Sequence, residues 1–203
     1  MHYLQYWYHN INFIKGVSAD GTEVYATTDG LRPTWLANAY EFIDSVGEWY
    51  IDRSEGKLYY KANGTMEDKE AILPVVEEIV RLEGASNIIF DGVVFEHSTY
   101  TRPSEIGYHD HQANAFADGG DWQQVPGGVL IDSCENITIT NSEIRNMGTA
   151  GIKVRSTDSR SNNVSITNCL IHDISYSGII VGEVYSLGKK NAREVSYAFY
   201  KER

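Results

Sequence analysis

The chain has 203 residues, of which 42% are hydrophobic and 22% charged, enough for one substantial hydrophobic core. Its formal net charge of −11 disfavours binding to nucleic acid or to an anionic membrane surface, so neither is expected as a partner. No apolar run approaches the roughly 18 residues that a membrane-spanning helix requires.

Residues 1–75 are predicted to form a small β-rich module. Residues 11–27 and 48–62 each predict two strands around a Gly-containing turn, and TWLANAYEFIDS (34–45) between them predicts a short helix or an ordered loop. The opening MHYLQYWYHNINFIKG lacks a cationic start followed by an apolar block, so no signal peptide is visible. The compartment is left open, although a longer parent protein would be expected to be secreted or periplasmic.

Further along, one short phrase rich in asparagine and β-branched residues occurs twice, as ENITITNSEIRNMGTAGIKV (135–154) and NNVSITNCLIHDISYSGIIV (162–181). The two copies align at an offset of 27 residues, and a third copy around Asn87 aligns at an offset of 49. Self-similarity at such a period indicates a solenoid. A leucine-rich repeat is disfavoured because leucine is scarce here, so residues 76–183 predict an all-β, right-handed parallel β-helix.

Asparagine and glycine suit the corners of such a coil, because they adopt left-handed backbone at the lowest steric cost. Asn141 and Asn168 are predicted to lie one above the other and to pair their side-chain amides along the axis. Cys134 and Cys169 fall inside the repeats and are interpreted as small buried thiols. Residues 184–203 lack another Asn-x-Ile strand and form a non-repeat tail.

Three segments carry a resemblance to a known family: NAYEFIDSVGEWYIDRSEGKLYY (38–60), VRLEGASNIIFDGVVFEHSTYTRPSEIGYHDHQAN (80–114) and DISYSGIIVG (173–182). Over roughly residues 3–183 the chain resembles bacterial right-handed β-helix proteins of the pectate-lyase-like superfamily, nearest to glycoside hydrolase family 141, which contains fucosidase and xylanase activities. The resemblance implies action on carbohydrate. Because members of that group are usually longer at both ends, it also implies an internal piece of a larger polypeptide, and their catalytic carboxylates match no motif here.

Equivalent residues on adjacent coils should lie about 4.8 Å apart, so the alignment predicts rows of neighbouring side chains. One row contains Glu83, Asp132 and Arg155. It could hold an acid and a nucleophile beside a charge partner. A solvated charge ladder is favoured instead, because surface ion pairs are common.

A long insertion, residues 98–126, leaves the first coil beside two further rows, which contain His97, Asn146 and Asp173, and Glu96, Arg145 and His172. Insertions in solenoids gather on one face and often carry binding. Aromatic rings suit the apolar faces of sugars, and Arg, Asp and His suit their hydroxyls. A substrate cleft is therefore predicted between the insertion and these rows, with the substrate-binding residues Tyr100, Arg102, Tyr108, Trp122, Asn146 and His172.

The predicted function is that of a glycoside hydrolase, or part of one, acting on a neutral plant-type poly- or oligosaccharide. One carboxylic acid would protonate the leaving oxygen, while a carboxylate would attack the anomeric carbon or activate water. Asp173 is the candidate carboxylate, Asp110 its partner from the insertion, and His97 the residue that orients it.

Two alternatives remain open at this stage. A polysaccharide lyase on the same scaffold would need a basic residue such as Lys153 or Arg155, but the negative charge of the chain opposes an anionic polymer. A non-catalytic glycan-binding or structural fragment is the other alternative.

No cofactor is expected. His109, Asp110 and His111 are successive residues that rarely face one metal ion. The ADGGD run could bind calcium through Asp118 and Asp121, but it lacks the ligand count of a calcium loop, and a Gly-rich turn is favoured.

Overall fold

The computed structural model describes residues 1–5, 8–26, 33–67, 69–107, 111–112, 115–118 and 121–182. The chain divides into two compact units, the first made of residues 1–72 and 106–109 and the second of residues 73–105 and 110–203. The described helices are a single 3-10 turn, Tyr40–Phe42, and a short α1, Arg102–Glu105. Over the described part of the chain, neither is long and apolar enough to cross a membrane.

Among its described residues, the first unit contains three antiparallel strand pairs. They are β1 (His2–Gln5) with β2 (Tyr8–Ile11), β3 (Ile14–Val17) with β4 (Val24–Ala26), and β5 (Trp49–Asp52) with β6 (Lys57–Tyr60). The strand pairs predicted at 11–27 and 48–62 are confirmed as β3–β4 and β5–β6. In the segment 34–45 the only helical residues are those of the 3-10 turn, so most of it is an ordered loop.

Local side-chain chemistry closes the turn between β5 and β6. Asp52 Oδ1 accepts hydrogen bonds from the backbone amides of Ser54 and Glu55, both at 3.0 Å, and from Ser54 Oγ at 2.6 Å. Donors aimed at a carboxylate favour its charged form, so the Ser54 hydroxyl and these amides lower the pKa of Asp52. Short acids of this kind stabilise a turn without help from the rest of the fold.

The second unit winds repeatedly through three parallel sheets. The first sheet contains β7 (Val80–Glu83), β13 (Gly127–Asp132), β16 (Ala150–Arg155) and β19 (Ile179–Val181). The second contains β8 (Ser86–Asp91), β14 (Glu135–Thr140) and β17 (Asn162–Thr167). The third contains β9 (Val94–Ser98), β15 (Glu143–Met147) and β18 (Leu170–Ile174). The fold is therefore a right-handed parallel β-helix, as predicted.

The register of the strands confirms both predicted offsets. Ile139 on β14 pairs with Phe90 on β8, 49 residues earlier, and with Ile166 on β17, 27 residues later. Inward-facing residues stack in the same register and form the hydrophobic core, whose buried members are Phe95, Val129, Ile131, Cys134, Ile137, Ile139, Ile144, Met147, Ile152 and Val154. Cys134 is buried as predicted, whereas Cys169 is only partly buried, so the prediction of two buried thiols holds for one of them.

Two ladders of side-chain amides run along the corners of the β-helix. Asn168 donates a side-chain hydrogen bond to Asn141, which confirms the predicted contact between these two residues. Asn141 in turn donates to Asp91 Oδ1 at 2.7 Å, so this ladder ends on a carboxylate. The second ladder joins, in order, Asn163, Asn136 and Asn87. The backbone of every asparagine in these ladders is left-handed, with φ between 49° and 58°. These residues therefore turn the chain and also join successive coils.

The outer face of the first sheet is covered as well as its inner face. Leu130, Lys153 and Ile180 lie on this face and are 0%, 2% and 4% exposed. Lys153 Nζ donates to the Val125 carbonyl at 3.1 Å, and a Cβ on Gly127 would lie 2.6 Å from Lys153 Cβ. The C-terminal end of the insertion thus lies against β16.

The insertion joins the third sheet to the first. It begins after β9 and contains α1 and a three-stranded antiparallel sheet of β10 (His111–Gln112), β11 (Ala115–Asp118) and β12 (Asp121–Gln124), ahead of β13. It replaces the tight corner that Gly148 and Thr149 make on the next coil, between β15 and β16.

Candidate functional site on the third sheet

The third sheet contains one left-handed residue on each coil, namely His97 (φ 66°), Asn146 (φ 52°) and Asp173 (φ 52°). These three residues have no partner in the strand register, which pairs Arg145 with Glu96 and with His172. Each left-handed residue therefore acts as an extra residue in its strand, so that two consecutive side chains lie on the outer surface. The two rows that the sequence separated form one surface.

We call this surface the third-sheet face; it comprises Glu96, His97, Glu143, Arg145, Asn146, His172 and Asp173. Arg145 joins the first two coils, because its Nε lies 2.7 Å from Glu96 Oε2 and its Nη1 lies 2.9 Å from Glu143 Oε1. His172 joins the second coil to the third, with Nε2 at 2.9 Å from Glu143 Oε1 and Nδ1 at 2.8 Å from Asp173 Oδ2. The result is an unbroken series of alternating charges.

Protonation states follow from these contacts. The hydrogen bond with His172 lowers the pKa of Glu143; partial burial opposes this, and Arg145 adds to it. The hydrogen bonds to Glu143 and then to Asp173 raise the pKa of His172. Both changes favour the charged forms, so Glu143 is a carboxylate at neutral pH and is unsuited to donate a proton.

The structure places His97 away from Asp173. His97 Nε2 lies 3.5 Å from Glu96 Oε2 on its own strand, whereas Asp173 lies two coils away, roughly 9–10 Å at the usual inter-strand spacing. At this spacing His97 does not contact Asp173, and an orienting role for His97 stays a prediction. The histidine that contacts Asp173 is His172.

A second group of side chains lies at the start of the insertion and contains two of the predicted binding residues, Tyr100 and Arg102. Burial raises the pKa of Tyr100; Arg102 opposes this, and the nearby Glu77 and Tyr176 add to it. The Glu77 carboxylate also accepts a hydrogen bond from the Thr101 amide at 3.2 Å. We call Glu77, Tyr100, Arg102 and Tyr176 the corner cluster. It brings the insertion close to a residue of the third coil.

The corner cluster depends on a close backbone approach. A Cβ on Gly148 would lie 2.7 Å from the carbonyl carbon of Thr99 and 2.9 Å from the amide nitrogen of Tyr100. Ser98 Oγ and Thr149 Oγ1, both buried, lie 3.2 Å apart beside this contact. The missing side chain at Gly148 therefore leaves room for the backbone at the start of the insertion.

A comparison with known families agrees with the β-helix fold of the second unit. The sequence profile of the right-handed β-helix region matches residues 74–181, more than half of the chain. The chain belongs to the right-handed β-helix family. A solved structure described as a glycoside hydrolase is similar to this β-helix protein, with 23% sequence identity and a TM-score of 0.61. The match covers 74% of this chain and 29% of that one, and at this identity it shows the fold alone. No curated protein matches the sequence.

The first sheet of the β-helix contains the row of Glu83, Asp132 and Arg155, in the predicted register. Arg155 Nε lies 2.7 Å from Asp132 Oδ2, and Thr157 donates to Asp132 through both its amide and its hydroxyl. Asp132 is 4% exposed, whereas the side chains of Arg155 and Glu83 are 25% and 52% exposed. The solvated ladder that we expected is therefore present at Glu83 but not at Asp132, which is buried. Because hydrogen-bond donors already occupy the Asp132 carboxylate, we interpret Asp132 as a residue that stabilises the fold.

Several predicted residues fall outside what the structure describes. Tyr108, His109 and Asp110 lie outside the described residues, and the side chains of His111, Asp118, Asp121 and Trp122 are not described, so their predicted roles stay predictions. Asn146 is exposed on the third-sheet face. Across the described residues, no cluster of three or more His, Cys, Asp or Glu side chains could hold a metal ion.

Sequence reasoning missed Glu143, Glu77 and Tyr176. Glu143 aligns with Val94 and Leu170, so no other residue of its row is charged. The residues that it contacts, Arg145 and His172, belong to another row. A search for charge pairs between neighbouring rows at the coil offset would have found Glu143 with His172, 29 residues later. No sequence signal links Glu77 to Tyr176.

Proposed function

We propose that this β-helix protein is part of a carbohydrate-active enzyme, a glycoside hydrolase that acts on a neutral glycan. The observation that carries the proposal is the third-sheet face, where the carboxylates of Glu96, Glu143 and Asp173 occupy consecutive coils beside an insertion containing aromatic residues. Glycosidases use paired carboxyl groups at separations comparable to one or two such steps. The similarity to a solved glycoside hydrolase is consistent with this proposal.

Asp173 is our candidate for the carboxylate that attacks the anomeric carbon or activates water. Its side chain is 70% exposed, and it is the acid of this face that Arg145 does not bind. The proton donor must be a different group, because Glu143 is held in its charged form. We assign that role to Asp110 of the insertion, in line with its position in the sequence next to the aromatic residues.

The proposed substrate is neutral for an electrostatic reason. The chain has a net charge of −11, and the third-sheet face has three carboxylates whose cationic partners are already engaged with them. An anionic polymer would meet repulsion here. A sugar ring without charge could stack on aromatic rings and exchange hydrogen bonds with the exposed Asn146.

The lyase alternative has less support. Lys153 is 2% exposed and donates to the Val125 carbonyl, and Arg155 is bound to Asp132. Neither basic side chain on β16 is therefore presented to a solvent-exposed polymer. If a uronate polymer nevertheless yields an unsaturated product, seen as a rise in ultraviolet absorbance, the hydrolase proposal is wrong.

The test is hydrolysis of a panel of neutral plant glycans and aryl glycosides by the wild type and by Asp173→Asn. We expect the variant to lose activity by about 10²–10⁴-fold, the usual contribution of a positioned acid or base. Glu135→Gln is the matched control, since Glu135 is an exposed acid at the start of β14 on the second sheet. Equal rates for the wild type and Asp173→Asn would remove Asp173 from the proposal.

A further inference from the structure

The Asp173 carboxylate is held by a histidine that is itself held from the opposite side. His172 Nδ1 lies 2.8 Å from Asp173 Oδ2, and His172 Nε2 lies 2.9 Å from Glu143 Oε1. A carboxylate oxygen accepts hydrogen bonds and donates none, so both ring nitrogens must donate for both contacts to form. Only the imidazolium form of His172 satisfies this arrangement.

The second contact continues into the middle coil. Glu143 shares its Oε1 between His172 and Arg145 Nη1, at 2.9 Å in both cases, and Arg145 Nε is bound to Glu96 at 2.7 Å. The side chains of Glu143 and His172 are 28% and 37% exposed, so they are partly shielded, whereas Asp173 is 70% exposed. The hydrogen bonds therefore connect the partly shielded Glu143, through His172, to the exposed carboxylate of Asp173.

We propose that His172 is a positioning residue which, fixed by Glu143, holds the Asp173 carboxylate in one orientation for the reaction. This inference rests on the proposed function, because it assigns a purpose to the contacts of Asp173. It differs from the prediction made from the sequence, in which His172 contacts substrate and His97 orients Asp173. That prediction assigned no role to Glu143.

The geometry explains why two positioning residues are needed. Asp173 has left-handed backbone at the outer surface of β18, and its carboxylate would otherwise rotate freely in water. A ring bonded at one nitrogen alone could still pivot. A second bond at the opposite nitrogen fixes the ring plane, and the orientation of the ring then fixes the Asp173 oxygen that it contacts.

The charged and titratable groups around His172 come from each strand of the sheet. Glu143 and Arg145 face it from β15, Asp173 adjoins it on β18, and Glu96 and His97 lie one coil further on β9. The hydrogen bonds to the Glu143 and Asp173 carboxylates outweigh the opposing effect of burial, so the pKa of His172 is raised. The arrangement therefore predicts a histidine that titrates above the ordinary value of 6.5.

The first experiment is an NMR pH titration of the histidine rings in the full 203-residue chain. The signal of His172 is assigned by its loss in His172→Gln. We expect it to titrate above 6.5, and to titrate lower in Glu143→Gln but not in Glu135→Gln, which changes the corresponding first residue of β14. A His172 titration that is ordinary in the wild type, or unchanged in Glu143→Gln, overturns the inference.

The second experiment measures glycan hydrolysis by the same variants. For His172→Gln and Glu143→Gln we expect kcat to fall by about a hundredfold, typical of a misplaced reacting group, with KM changed little. A fall in binding with kcat unchanged would instead make His172 a substrate-binding residue and overturn the positioning role. A wild type that hydrolyses no neutral glycan would overturn the proposed function, and the catalytic purpose with it, even where the titration behaves as expected.

Discussion

Asn168 donates a side-chain hydrogen bond to Asn141, a residue 27 positions earlier in the chain, and both residues have left-handed backbone with φ near 50°. Asn141 in turn donates to Asp91. One asparagine thus provides a corner conformation that most side chains disfavour and a hydrogen bond that ties its coil to the next.

The two contributions of Asn141 can be separated by substitution. Asn141→Gly keeps the left-handed backbone accessible and loses only the ladder, so we expect a cost of about 1 kcal/mol. Asn141→Ala loses the ladder and also strains the corner, for a total cost of about 2–3 kcal/mol. The free energies of unfolding come from urea denaturation. Equal costs for the two variants would contradict a role for the backbone conformation.

The contribution of buried side chains to stability can be compared at two residues that stack in one row of the second sheet. Ile139 is fully buried between Phe90 and Ile166, whereas Ile166 is only partly buried. We expect Ile139→Ala to cost about 2–5 kcal/mol, because a cavity remains between two coils. Ile166→Ala, the matched control, should cost clearly less. A reversed order in chemical denaturation would show that the coils do not pack in this register.

Asp132 should make stability depend on pH in the acid range. Although its burial raises the pKa, the hydrogen bonds from Thr157, Arg155 and Ser133 outweigh this, and the pKa of Asp132 is lowered below 3.8. The charged form therefore stabilises the fold above that value, and the stabilisation is lost as the pH falls through the folded-state pKa. We expect Asp132→Asn to cost about 2–3 kcal/mol at neutral pH and less near pH 2. Denaturation at a series of pH values checks both points.

His172 should act in the opposite direction. Its pKa is raised by Glu143 and Asp173, so its charged form stabilises the fold below 6.5, and the stabilisation is lost as the pH rises through the folded-state pKa. The melting temperature of His172→Gln should therefore differ from that of the wild type more at pH 5 than at pH 9. The same difference at both pH values would exclude a stabilising role for the charge.

Two corner glycines differ in the space beside them. A Cβ on Gly148 would meet main-chain atoms of Thr99 and Tyr100 within 3 Å, whereas a Cβ on Gly178 would meet only the side chain of Ile171, at 3.4 Å. We expect Gly148→Ala to displace the start of the insertion and to weaken glycan binding, and Gly178→Ala to be tolerated. Calorimetric titration with an oligosaccharide tests binding, and circular dichroism checks that both variants fold. Equal glycan binding by the two variants would show that the start of the insertion takes no part in the binding site.

Much of the fold could be predicted from the sequence because a β-helix repeats its environment. Ile137 and Val164 occupy equivalent positions on consecutive coils, so the same inward-facing requirement selects similar side chains at the offset of one coil. The asparagines at the corners repeat for a similar reason, since their backbone conformation admits few residue types. A spacing of this kind survives in a single sequence without any knowledge of relatives.

The candidate site was only partly predictable. The two rows that contain Asp173 and His172 could be located, but the contact between these residues could not, because His97, Asn146 and Asp173 break the strand alternation as left-handed residues. That irregularity decides which neighbouring side chains lie on the same surface. The sequence likewise could not separate the exposed charges of the third sheet from the buried Asp132, because burial depends on the surroundings of the first sheet.

The sequence by itself determined the parallel β-helix, its coil length and the stacking of Asn141 on Asn168, since these depend on contacts that recur at one fixed offset. Only the tertiary structure decided that His172 bridges Glu143 and Asp173 and that Asp132 is buried. The physical reason is that a repeat records what successive coils share, whereas an ion pair between different rows depends on side-chain directions and on shielding from water, which repetition does not record.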